Sequence, residues 1–198
     1  MGIFYAETMK GLYREFPDKG LIARSARPED VSYAAEISAI IKSPENQNKM
    51  IPLEPDQLIA LWEDKRGVIV VDSNSGRIVS HAAVTYELID RSVEVGAVCT
   101  HPDQRGRGGA WIATSGAIYV AHTLYPGKYA IAMIGVESKS IFTKLGAVEI
   151  DCSQVHKELW GRCEHCPRAK RKNGPITKCI HTPVNVSDVA TLFDNSDR

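Results

Sequence analysis

Hydrophobic positions along the chain change period several times, and each change marks an element. Leu21-Ile22-Ala23 is a short apolar run that predicts a strand. Arg27-Pro28-Glu29-Asp30 then reads as a helix start, with Pro at the first helical position and acids in the first turn. Val31, Ala34, Ala35, Ile37 and Ile41 continue a stripe of helical period. A loop holding Pro44, Pro52 and Pro55 leads to a second helix near 56–65, burying Leu58, Leu61 and Trp62. The pattern then turns to strands: 67–72, a Ser73-Asn74-Ser75-Gly76 turn, 77–87, another turn and 92–100, which together predict an antiparallel meander. Residues 108–124 contain no Asp, Glu, Lys or Arg, so they predict a helix buried on more than one side. A strand at 128–136, a short helix at 138–145 stopped by Gly146, and a strand at 147–155 follow. Residues 1–19 carry Phe4, Tyr5, Tyr13 and Phe16 without a clear period and are read as a short helix on the body.

The resulting order, β-α-α-β-β-β-α-β-α-β, specifies an α/β (α+β) fold with one mixed sheet and helices on both faces. A chain of 198 residues suffices for one well-packed domain with a small appendage. It divides into an N-terminal extension (1–19), a core (20–156), a cysteine-rich insertion with the last strand (157–186) and a tail (187–198). Hydrophobic residues at 43% and charged residues at 24% mark a folded chain. Lysine and arginine together number 24, as do aspartate and glutamate, so the zero net charge argues against a whole-surface nucleic-acid or membrane binder. No stretch reaches the ~20 apolar residues of a membrane span, and the first residues lack the order of a secretion signal, which predicts a cytoplasmic protein with no membrane partner. Monomer and homodimer both fit.

Chemistry concentrates at Val98-Cys99-Thr100-His101-Pro102-Asp103-Gln104-Arg105-Gly106-Arg107-Gly108-Gly109-Ala110. A strand ends, a Gly- and Arg-rich loop follows, and the long helix begins. Unpaired amides and the helix dipole meet there, and Arg105 and Arg107 add charge, so the loop suits a diphosphate. It is not a P-loop, which needs Gly-Lys-Ser/Thr, nor a dinucleotide fingerprint, whose third Gly would stand at Trp111.

Arg105-Gly106-Arg107-Gly108-Gly109-Ala110 resembles the Arg/Gln-x-x-Gly-x-Gly/Ala signature of the GNAT (Gcn5-related N-acetyltransferase) superfamily. Ser138-Lys139-Ser140-Ile141-Phe142-Thr143-Lys144-Leu145-Gly146-Ala147 is similar to its second signature, and the element order from 21 to 155 matches. The resemblance implies a GNAT acyl-CoA N-acyltransferase fold that uses acetyl-CoA. The amides of Arg105, Gly106, Arg107, Gly108, Gly109 and Ala110 would hold the pyrophosphate, Val98, Cys99 and Thr100 would pair their backbone with the pantetheine arm, and Ser138 and Phe142 would complete the cofactor site. Gly96 would mark the bulge that splays this strand from the next.

Acyl transfer to an amine needs a base, a donor for the oxyanion and a fate for the thiolate. Glu94, eleven residues before Arg105, is the candidate base, at about the offset the resemblance implies. Period-2 alternation puts Glu94, Gly96 and Val98 on one face. A backbone amide near Val98 or Cys99 is the candidate oxyanion donor, and Cys99 itself reads as a small buried hydrophobe. Phe142 stands where many members of the superfamily have a Tyr that protonates the thiolate, which leaves Tyr129, a water or backbone help alone. The acceptor expected is a small-molecule or peptide amine. The rival is a non-catalytic acyl-CoA- or RNA-binding module.

Five cysteines in a reducing compartment favour metal or free thiols over disulfides. Cys163, Cys166, Cys179 and His181 have the donor set of a structural Zn2+ tetrahedron, with His165 as the alternative to His181. The segment 157–178 carries an excess of five positive charges, which could contact nucleic acid, an acidic substrate or the 3′-phosphate of coenzyme A, or simply be a solvated loop. His81, His101, His122 and His156 are isolated and read as structural.

Overall fold

A computed structural model describes residues 11–46, 50–88, 92–155, 158 and 182–194. Eight strands form one sheet: β1 (Tyr13–Phe16), β2 (Leu21–Ser25), β3 (Gly67–Asp72), β4 (Ile78–Glu87), β5 (Ser92–Thr100), β6 (Tyr129–Ile134), β7 (Val148–Glu149) and β8 (Thr182–Asn185). Their spatial order is β1-β2-β3-β4-β5-β6-β8-β7. Every pairing is antiparallel except β5 with β6. The expected meander is β3-β4-β5.

Helices α1 (Val31–Lys42) and α2 (Pro55–Glu63) cover one face, where Ile37, Ile41, Leu58 and Trp62 pack on Ile69, Ile78 and Ala83. Helix α3 (Gly109–Leu124) covers the other, with Ile112, Ala113, Ala117 and Ile118 on Val70, Val79, Ala82 and Val95. Helix α4 (Val136–Lys144) adds Phe142 to that second core. Phe193 packs near Phe16 and Tyr119 on the same side of the sheet, and Leu192 N donates to Ser115 Oγ at 2.8 Å. α3 is therefore covered by sheet below and chain above, as its lack of charge requires. Residues 187–194, expected as a tail, are turns with Val189 and Phe193 buried.

Several boundaries differ from expectation. Residues 13–16 form the edge strand β1, not a helix: the tight turn Pro17–Lys19, closed at Gly20 with φ +60°, folds them back onto β2. Helix α1 starts at Val31, because Asp30 receives both Arg24 guanidinium nitrogens at 2.7 Å and the Arg27 N–H at 2.9 Å, which makes 27–30 a turn. The strand expected at 147–155 shrinks to Val148–Glu149, since Asp151 accepts the Ser153 N–H at 2.8 Å in a side-chain-closed turn. In sequence the cysteine-rich stretch lies between β7 and β8, and Cys163, His165, Cys166, Cys179 and His181 lie outside the described residues. No helix of the described residues is long and apolar enough to cross a membrane.

Candidate functional site

The parallel ladder between β5 and β6 joins Ser92–Glu94 to Tyr129–Ile131 and stops there. Beyond it the strands part, leaving a cleft of about 950 Å3 lined by Gly96, Val98 and Thr100 of β5, Met133 and Gly135 after the split, and Ile141 of α4. β5 is irregular on its other side too. Pairing with β4 jumps from His81↔Cys99 to Ala83↔Gly96, so β5 carries an extra residue, and Ala97 has φ +51°. A non-glycine residue in that region costs about 1 kcal/mol. The bulge is thus at Ala97, one residue beyond the expected Gly96. Gly96 serves a different end: a Cβ there would stand 3.1 Å from Thr85 Oγ1.

The bulge also corrects the expected alternation. Ala97 and Cys99 pack with the core under α1 and α2, whereas Val98 packs with the core under α3. Glu94, Gly96 and Val98 do not share one face, because the extra residue inverts the pattern after Gly96. All three nonetheless line the cleft. Cys99 is 6% exposed, and burial pushes its thiol up to about 12, which suits a hydrophobe and not a nucleophile. The Thr100 hydroxyl is engaged with Ser80 Oγ at 2.8 Å, so its backbone is what remains for a ligand.

At the far end of β5, Pro102–Gln104 forms a single helical turn, Gly106 and Gly108 take φ +83° and +85°, and α3 begins at Gly109. Gly109 lies so close to β4 that a Cβ would stand 2.6 Å from Val79 Cγ1 and 2.7 Å from Ser80 Oγ. The first turn of α3 thereby reaches the cleft, which Gly106, Gly108, Gly109 and Ala110 line.

The two arginines of this loop divide. Arg107 does not line the cleft. Its guanidinium pairs with Asp72 at 2.7 Å and donates to Lys19 O at 3.1 Å, Gly20 O at 3.4 Å and Gln104 Oε1. Hydrogen bonds from Ser75, then Arg107, hold the Asp72 carboxyl well below its usual range. The expectation that Arg107 supplies free charge to a diphosphate is therefore corrected: its side chain rivets the loop to the turns at 17–20 and 72–76. Arg105 does line the cleft, paired with Glu45 at 2.7 Å. Lys19, which sequence reasoning missed, lines it too, with its chain about 4 Å from a Cβ at Gly108. Its signal was the Pro17–Gly20 turn, which the Arg107 bonds join to the loop.

Glu94 lines the opposite part of the cleft, where Thr85 Oγ1 donates to its Oε2 at 2.9 Å. Met50, Ile51 and Leu53, from the segment before α2, also line the cleft. Ser138 and Phe142 line the cleft on α4, and Phe142 is 2% exposed, its ring packed in the core. Tyr129, nominated to protonate a thiolate, sits at the start of β6 beside Ser92, 40% exposed and outside the cleft, because β6 runs away from its first residue toward the split.

No protein-family model and no curated protein matches the sequence. Solved structures do match. A Mycobacterium tuberculosis protein, Rv2747, in complex with CoA and NLQ superposes with TM-score 0.58 at 16% identity, over 82% of this chain and 96% of that one. An acetyltransferase of the GNAT family from Staphylococcus aureus gives 0.56 at 9%, over 83% and 97%. The ribosomal-protein-S5-alanine acetyltransferase of Vibrio fischeri gives 0.55 at 15%, over 93% and 98%. Against a GCN5-related N-acetyltransferase from Kribbella flavida (TM-score 0.48, 15% identity) the match spans 65% of this chain and 33% of that one.

Proposed function

We propose that this chain, which has the GNAT fold, is an acyl-CoA-dependent N-acyltransferase that moves an acetyl group to a primary amine. One observation carries the reading: a single cleft joins the amide-rich start of α3, the edge of β5 that has left β6, and the Glu94 carboxylate.

In this reading the loop amides from Arg105 to Ala110 hold the pyrophosphate, with Arg105 and Lys19 as the charged partners. The backbone of Val98, Cys99 and Thr100 pairs with the pantetheine arm as a further strand would. Ser138 and Phe142 wall the arm on the α4 side. Glu94 takes a proton from the ammonium, directly or through a water, because a protonated amine has no lone pair to attack with. The amine nitrogen then bonds to the thioester carbon, and the carbonyl electrons move to oxygen, where the Val98 N–H donates to them. Collapse expels the coenzyme thiolate, the nitrogen passes its second proton to water, and Glu94 returns its own to solvent. Phe142 has no proton to give, yet a thiol's ordinary pKa of ~8.5 makes the thiolate a competent leaving group beside an amine, so water can protonate it after departure.

The apolar side chains of Met50, Ile51 and Leu53 in the lining of the same cleft favour an acceptor whose amine is carried on an apolar body, small molecule or peptide. The experiment is thiol release from acetyl-CoA across a panel of amines and peptides, with Glu94→Gln alongside. A fall in kcat/KM of about 10²–10⁴ is expected for the variant, the usual contribution of a general base; an unchanged value across pH refutes the assignment. The rival reading is a non-catalytic acyl-CoA- or RNA-binding module; coenzyme binding without turnover on any acceptor would support its acyl-CoA form. The Zn2+ staple at Cys163, Cys166, Cys179 and His181 is supported by spacing and donor set alone, and metal analysis of the purified protein tests it.

A further inference from the structure

His81 is fully buried on β4, does not line the cleft and takes no part in the mechanism above. Its hydrogen bonds are nonetheless directed at the site. Trp62 Nε1 lies 3.3 Å from His81 Nε2. An indole nitrogen can only donate, so Nε2 is the acceptor and the proton of the neutral ring is on Nδ1. Nδ1 lies 3.1 Å from Ala97 O and donates to it. Ala97 is the left-handed residue of the β5 bulge, skipped by the ladder that pairs His81 with Cys99 and Ala83 with Gly96. Its carbonyl has the imidazole where a regular strand would offer a backbone amide.

The carbonyl and N–H of one trans peptide point in opposite directions. Tying Ala97 O to His81 therefore turns the next N–H, that of Val98, away from the imidazole. Val98 lines the cleft beyond the point where β6 has departed. A left-handed alanine persists only where its surroundings over-determine it, and the Trp62–His81–Ala97 chain does so from a site with no exposure to solvent. Trp62 is 1% exposed, and a Cβ at Gly67 would stand 2.2 Å from its ring, so the chain has a fixed anchor.

We propose that His81 is a positioning residue that, held by Trp62 and bonded to Ala97 O, aims the Val98 N–H at the thioester carbonyl. The proposal rests on the acyl-CoA reading, and the experiment separates the two. Isotope-edited infrared spectroscopy reads the carbonyl stretch of acetyl-CoA labelled with 13C at the thioester carbon, bound to the full chain, and needs no knowledge of the acceptor. Calorimetry with CoA reads the cradle independently.

In the parent protein the carbonyl band is expected at lower frequency than in water, because a preorganised donor polarises the bond. His81→Leu keeps the volume but loses the donor; it should bind CoA with unchanged Kd while the band returns toward its solution position. His81→Asn restores the lowered band, since its amide nitrogen falls where Nδ1 was, whereas His81→Gln, reaching to the position of Nε2, does not. Should His81→Leu fail to fold, the Asn and Gln variants carry the comparison. A band unshifted in the parent, a shift that survives in His81→Leu, or equal bands in the Asn and Gln variants would each overturn the proposal. Absence of any acetyl-CoA binding by the parent protein would overturn the acyl-CoA reading, and the proposal with it.

Discussion

Gly109→Ala tests whether the placement of α3 is what makes the anion cradle. The added Cβ would stand 2.6 Å from Val79 Cγ1 and 2.7 Å from Ser80 Oγ, against an ordinary carbon contact of about 3.5–4.0 Å. Neither neighbour can yield easily: Val79 and Ser80 are 0% and 1% exposed, and Ser80 Oγ is bonded to Thr100 Oγ1 at 2.8 Å. The first turn of α3 must therefore rise from β4 by about 1 Å. Overpacking of this kind costs about 1–3 kcal/mol, and Tm should fall by roughly 2–4 °C per kcal/mol for a chain of this size. In the proposed reading the same shift misaligns the amides and Arg105 against the phosphates. Loss of one charge-assisted hydrogen bond, about 1.5–3 kcal/mol, raises the Kd for CoA by about tenfold or more. The control is Gly116→Ala in the middle of the same helix, where a Cβ meets Val68 Cγ1 at 2.9 Å, far from the cleft lining. There the gain in helix propensity, up to about 1 kcal/mol, offsets part of the crowding, and CoA affinity should not change. Calorimetry and thermal denaturation of both variants decide it. The argument fails if Gly109→Ala binds CoA as the parent does, or if Gly116→Ala weakens binding equally.

The two loop arginines should separate in the same assays. Arg105→Gln raises the Kd for CoA about tenfold, with stability within about 0.5 kcal/mol because its partner Glu45 is exposed, while Arg107→Gln lowers Tm and weakens CoA only through loosening of the loop. A larger direct effect on CoA from Arg107 than from Arg105 would contradict their geometry. Thr85→Val removes the hydroxyl that holds Glu94 Oε2 and should lower kcat/KM about fivefold, the worth of one such bond of about 1 kcal/mol, leaving CoA affinity unchanged; equal activity would remove Thr85 from the site. Burial pushes His81 down to about 4 from an ordinary value of 6.5, so the unfolded chain binds the extra proton between those limits. Stability is then fully present above pH 6.5 and falls as the pH drops toward 4, by about 3 kcal/mol in total at about 1.4 kcal/mol per unit. Urea denaturation between pH 7.5 and 4 should show this decline in the parent protein and its flattening in His81→Leu.

Elements whose identity is set by their own residues were legible in the sequence. β3 and β5 fall on the expected residues because Val68-Ile69-Val70-Val71 and the alternating Val93 and Val95 leave little choice, and α3 because seventeen residues without charge can only be interior. What was not legible depends on partners distant in sequence. β1 is a strand because β2 is beside it, not because 13–16 alternate strongly. Gly96 signals a bulge in this strand, but its position at Ala97 is set by His81, sixteen residues away. Arg107 looks like a phosphate ligand until Asp72, thirty-five residues earlier, is placed against it.

The sequence pattern points to main-chain amides as the cradle and adds the charge of Arg107, but in this cleft side chains mostly fix backbone. Arg107 binds two carbonyls and Asp72, Thr100 binds Ser80, Cys99 fills the core, and Gly109 admits β4. What they leave facing the cleft is main chain: amides at the start of α3 and the unpaired edge of β5. Main-chain donors carry no rotamer entropy and do not titrate, so a cradle built from them is preorganised at every pH where the fold persists. In the proposed reading, side-chain identity then matters where a proton moves or a charge must be matched, at Glu94 with Thr85 and at Arg105 with Lys19. It matters also one layer out, where Trp62, His81 and Arg107 determine which way the main chain faces.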